Sequence, residues 1–154
     1  MHGAEVLSYA PTQPDAAARA GVSHVRSLHN QRVAFDNNDV IMAAWTFDYY
    51  NAKVAATIED WPADLRASFL RIAELMALYG PDPGMPHTRA MGGGLFEMRP
   101  KARAGIGRIL YCVAIGQRIV LLHAFIKKTE RTPPRELSLA YVRAREVKHD
   151  CRSL

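Results

Sequence analysis

Apolar and polar positions fall into a regular order only from Met42 onward. AWTFDYY alternates, with Trp45, Phe47 and Tyr49 on one face and Thr46, Asp48 and Tyr50 on the other. A period of two predicts a strand with one buried face. NAKVAATIEDW follows as a short helix. Pro62 suits the first position of a second helix, where a missing amide hydrogen leaves nothing unsatisfied. There Leu65, Phe69, Ile72 and Met76 recur at helical spacing, with Arg66, Arg71 and Glu74 outside. Gly80 and Pro81 end that helix. The two helices read as a hairpin.

GPDPGMPHTRAMGGG is too rich in Gly and Pro for regular structure beyond a short strand over Thr88–Met91. LFEMR is the next strand, with Phe96 and Met98 on one face and Glu97 and Arg99 on the other. PKARAG is a charged turn. IGRILYCVAI and RIVLLHAFI are two strands joined by a turn at Gly116 and Gln117. The second is almost continuously apolar, as a central strand covered on both faces requires. In RELSLAYVRAREVKHD a helical stripe of Leu137, Ala140, Tyr141, Ala144 and Val147 emerges, with basic residues outside. Thr132 is placed to cap this helix and Pro133 to begin it. Strands in a run with helices set apart predict an α+β fold. It comprises a small, mostly antiparallel sheet, an N-terminal helical hairpin on one face and a C-terminal helix.

Residues 1–41 lack this order. They mix Ala, Pro, Gln, Asn and scattered His, and read as a weakly ordered extension or as sequence upstream of an alternative start at Met42. Residues 42–154 make one domain. No apolar run approaches the roughly 18 residues of a membrane span, and the N-terminus has no basic and apolar tracts of a secretory signal. Cys112 lies in an apolar strand and Cys151 in the tail, which suits two reduced thiols in a cytosolic protein.

The charge distribution changes the picture more than the net value of +5. Residues 42–98 hold four basic and seven acidic side chains, net −3; residues 99–152 hold thirteen basic and four acidic, net +9. A domain polarised this way attracts polyanions, of which nucleic-acid backbone is the commonest. If strands pair through PKARAG, Arg99 and Arg108 approach each other, and Lys127 and Lys128 leave the end of the next strand. Pro133 and Pro134 then hold the chain's exit. Four cations on one open patch of sheet repel unless an anion completes them. His87, with Arg89 near it, titrates in the range useful for proton transfer, although an exposed loop histidine with no role fits equally. Glu97 reads as a base or as the salt-bridge partner of Arg99. His123 reads as a hydrogen-bonded core histidine and Tyr111 as packing. Arg89, Lys101, Arg103 and Arg131 remain as contacts to RNA backbone. No Cys-x-x-Cys or His-Glu-x-x-His pattern occurs, and the Gly92–Gly94 triplet has no following Lys-Ser or Lys-Thr, so neither a metal nor a nucleotide cofactor is expected.

GMPHTRAM, GGGLFEMR, GIGRILYCV and RIVLLHAFIKKTERTP together resemble the RelE/HigB-type toxins of bacterial toxin–antitoxin pairs, above all their phage-derived branch. The resemblance runs from about Trp45 to Val147. It implies a cytoplasmic toxin neutralised by an antitoxin, commonly a helix-turn-helix protein. It implies metal-independent endoribonuclease action on mRNA at the translating ribosome, by attack of the ribose 2′-hydroxyl on the adjacent phosphorus. Arg99 and Arg108 would stabilise the transition state, with Lys127 or Lys128 as a further clamp or proton-transfer group. The sequence departs from the family's pattern in two ways. Leu95 and Glu97 stand where basic residues often precede the arginine, and Tyr141 belongs to the helical stripe. The general acid and base are therefore open. ParE-like members, which act on DNA gyrase without catalysis, and a plain RNA- or ribosome-binding module are the alternatives.

Overall fold

The computed structural model describes residues 45–128 and 131–150. The expectations for residues 1–41 and for Cys151 lie outside them. Strand β1 (Thr46–Tyr49) is followed by helices α1 (Ala52–Glu59) and α2 (Ala63–Tyr79). Then come β2 (Thr88–Gly92), β3 (Leu95–Met98), the two-residue β4 (Lys101–Ala102), β5 (Gly105–Ala114), β6 (Arg118–Ile126) and helix α3 (Pro134–Asp150). The sheet order is β1-β6-β5-β3-β2, with β4 pairing to the start of β5. Only β1 on β6 is parallel among these pairs. The mixed α+β architecture is the one the periodicities predict.

Local chemistry explains the helix ends. The Asn51 side chain accepts the Val54 amide at 3.1 Å and caps α1. Pro62 stands one place earlier than expected, at the cap of α2. Gly80, with φ +107°, ends α2 in a conformation that side chains disfavour.

Two apolar layers sandwich the sheet. On one side Val54, Ile58, Leu65, Phe69, Ile72 and Met76 from the helical hairpin meet Phe47, Met98, Ile109, Tyr111, Ile119 and Leu121. Leu65, Met76, Ile109 and Leu121 are completely buried, and each such side chain contributes about 1.5–3 kcal/mol relative to exposure. Gly107 is required here. A Cβ on it would stand 2.7 Å from two ring carbons of Trp61 and 3.0 Å from Pro100. On the other side Ala140, Ala144 and Val147 of α3 cover Leu95, Leu110, Cys112, Val120 and Leu122. Strand β6 is central and covered on both faces, as its apolar run predicts. Among the described residues no helix is long and apolar enough to cross a membrane.

One irregularity sets the geometry of everything downstream. Leu110 pairs with His123 but Tyr111 pairs with Leu121, leaving Leu122 as an extra residue in β6. Such a bulge interrupts the ladder and re-aims the side chains beyond it. The Leu122 carbonyl accepts a 2.6 Å hydrogen bond from Arg143 of α3. Strict alternation from Leu121 would send His123, Phe125 and Lys127 toward the helical hairpin. The bulge turns His123 and Phe125 to the α3 face instead, with Phe125 opposite Arg108.

Candidate functional site

Pairing register assembles the site. Met98 lies opposite Ile109 in β5 and opposite Thr88 in β2. One residue further along, Arg99 therefore comes level with Arg108 on one side and with His87 on the other. Its amide donates to the His87 carbonyl at 2.8 Å. Arg108 in turn lies opposite Phe125. His87, Arg99, Arg108 and Phe125 thus form one row across the sheet, with Phe125 packed against the cluster that α3 covers. Lys127 extends the pairing past β6, its amide donating to the Ile106 carbonyl at 2.7 Å. Lys127 is half-buried and Lys128 exposed.

In the next row Arg89 faces Glu97, Glu97 faces Leu110, and Leu110 faces His123. Glu97 is 3% exposed. Its Oε1 lies 3.2 Å from Nε of Arg108 and 3.6 Å from Nε of Arg99. Its Oε2 accepts the Thr132 hydroxyl at 2.6 Å. This differs from an open patch of four cations: Arg108 is as buried as Glu97, and its Nη1 donates to the Gly107 carbonyl at 2.8 Å. Its Nε sits close to Glu97 without hydrogen-bond alignment. Burial lowers the Arg108 pKa from its ordinary value; Glu97 raises it and Arg99 lowers it further. Arginine remains charged under such pressure because its ordinary value is so high.

Arg99 is the arginine of the pair that reaches the surface, its side chain 26% exposed, with Nη1 donating to the Met85 sulfur at 3.0 Å. Arg89 is exposed on the sheet-edge strand β2. Lys101 and Arg103 do not join the row. Their hairpin leans on α2, where the Lys101 amide donates to Ser68 Oγ and the Ala104 amide to Asp64 Oδ2, both at 3.1 Å. Arg131 is exposed ahead of α3.

Three placements depart from expectation. Thr132 does not cap α3, which begins at Pro134; its hydroxyl reaches Glu97 instead. His123 is hydrogen-bonded, as expected, but only partly buried, and its partner is Glu136 in the first turn of α3. Its ring also tilts against Phe125 at 5.6 Å between centroids. Tyr141, besides packing, donates to the Met91 carbonyl at 2.9 Å and holds the Gly92–Gly94 turn. The role of Glu97 as the hub was legible only in its spacing of two from Arg99. Nothing in the local sequence signals the contact with Thr132. Among the described residues no group of three or more His, Cys, Asp or Glu could hold a metal ion.

Two arginines from neighbouring strands, gathered beside a single carboxylate, are of the residue type suited to holding a phosphodiester. No curated protein matches the chain. The family described as phage-derived protein Gp49-like (DUF891) matches residues 56–145, more than half of it. The chain therefore belongs to the phage-derived Gp49-like family, whose association with RelE-like toxins of toxin–antitoxin systems points to a toxin-type function and to an antitoxin as partner.

Proposed function

We propose that this protein is the toxin of a type II toxin–antitoxin pair and cleaves mRNA on the translating ribosome without a metal. One observation carries the reading: His87, Arg99 and Arg108 share a sheet row, with Lys127 beyond it. In the reaction the ribose 2′-oxygen attacks phosphorus, its proton leaving to a base. The bond from phosphorus to the 5′-oxygen breaks, and that oxygen takes a proton from an acid. The products are a 2′,3′-cyclic phosphate and a 5′-hydroxyl. Negative charge grows on the phosphoryl oxygens in between, and fixed cations stabilise it.

In this reading Arg99 meets the phosphate from the exposed end of the row, and Lys127 and Lys128 from the end of β6. Arg108 lends its charge from behind. His87 is the proton-transfer group within the row. Arg89 and Arg131 hold flanking backbone. Lys101 and Arg103, on the α2 side, serve a more distant stretch of RNA. A helix-turn-helix antitoxin would silence the surface.

Incubation of the purified chain with a reporter mRNA in a translating extract tests this. Site-specific cuts that disappear with Arg99→Ala are the expected result; intact mRNA with the wild-type chain overturns it. The burial of Arg108 against Glu97 favours a second reading, a ParE-like surface that binds DNA gyrase. Supercoiling inhibition without RNA cleavage would establish that one. Ribosome binding with neither activity would leave a binding module.

A further inference from the structure

We infer that Glu97 and Thr132 are positioning residues that set Arg99; the inference rests on the nuclease reading. Both Glu97 oxygens are engaged. Oε1 faces the two arginines and Oε2 accepts the Thr132 hydroxyl. A buried carboxylate so occupied has no free oxygen to take a proton from a substrate.

The arrangement joins three segments of chain at one group: β3 through Glu97, β5 through Arg108 and the approach to α3 through Thr132. The threonine lies 35 residues from Glu97 in sequence and gives up helix capping to reach it. Pro133 and Pro134 follow at once, and their rings hold φ near −65°. Lys127 is tied to β5 by its amide hydrogen bond to the Ile106 carbonyl, and Thr132 to β3 by its hydroxyl hydrogen bond to Glu97. Glu97 thus joins Thr132 to Arg99 and fixes one relative to the other. Preorganised cations need no rearrangement when charge develops, which is where such contacts act on turnover rather than on binding.

The test measures kcat, KM and thermal stability of the full chain on a reporter mRNA in a reconstituted translation system. Affinity for the same RNA with a 2′-deoxy scissile position is measured beside them. Thr132→Val is expected to lower kcat by about tenfold or more with KM unchanged, and Thr132→Ser, which keeps the hydroxyl, restores it. Glu97→Gln is expected to lower kcat while RNA affinity stays equal or tightens, because a negative charge leaves a basic site. Wild-type kcat in Thr132→Val, no rescue by Thr132→Ser, or a joint loss of stability, affinity and turnover overturns the inference. If Glu97→Gln does not fold, the half-exposed Thr132 pair of variants decides. Intact mRNA with the wild-type chain is a separate outcome. It overturns the nuclease reading, and this inference falls with it.

Discussion

Glu97 Oε1 lies 3.2 Å from Nε of Arg108, and both residues are 3% exposed. The arginine expected to greet a phosphate already has an anion beside it. Breaking a buried pair from one side leaves the other charge uncompensated. Arg108→Ala and Glu97→Ala are each expected to cost about 3–5 kcal/mol of stability. Replacing both together by Leu and Met of similar volume is expected to return stability close to wild type while abolishing toxicity. Chemical denaturation of the three variants checks this, and it makes Arg108→Ala a poor test of function by itself.

Arg99 is the cleaner probe. Its side chain is 26% exposed and its contact with Glu97 is a long 3.6 Å. Partly exposed ion pairs of this kind are weak, so Arg99→Ala is expected to change stability by less than about 1 kcal/mol. Growth inhibition on induction is expected to disappear. Retained toxicity of a folded Arg99→Ala protein would remove this side chain from the mechanism.

Gly107 tests how closely the helical hairpin governs the site. Alanine there would drive a methyl group against Trp61 at 2.7 Å. Trp61 is 5% exposed and has little room to yield. Gly107→Ala is expected to cost about 1–3 kcal/mol through overpacking, read as a lower denaturant midpoint. Arg108 is the next residue, so activity is expected to fall with it.

Alkaline pH should loosen the side of the sheet that the helical hairpin covers. Burial, and then the nearby Glu59 charge, push Tyr49 from 10.0 up to about 12. Burial likewise raises Tyr111, whose hydroxyl donates to the Pro81 carbonyl at 2.5 Å. Each phenol holds its proton more tightly in the folded chain than in the unfolded one. The Tyr49 contribution is therefore complete below pH 10 and is lost as the pH rises through about 12, while that of Tyr111, which is raised further, is lost only at still higher pH. For Tyr49 the loss is on the order of 2 kcal/mol. Denaturation midpoints compared on either side of that window check it, with Tyr49→Phe expected to flatten the decline.

Much of the scaffold was legible because it depends on near neighbours. The stripe of Leu65, Phe69, Ile72 and Met76 found its place against the sheet, and RIVLLHAFI became the central strand. The pairing of Arg99 with Arg108 also followed, since a short turn leaves adjacent strands little choice of register. The burial of Arg108 was not legible. A strand arginine beside Gly107 looks the same in sequence whether it meets water or Glu97. Thr132 before two prolines carries every mark of a helix cap, and a contact 35 residues away outweighed that local preference.

The amino-acid order by itself determined the elements other than the two-residue β4, which reads as a turn, their caps within a residue or two, and the concentration of positive charge after Met98, because periodicity and charge are properties of the chain at short range. Only the tertiary structure decided which face the end of β6 presents. One extra residue at Leu122 reverses the alternation and carries Phe125 to the side of Arg108. A shift of one residue moves every later side chain across a sheet, and no local pattern records where a partner strand makes that shift.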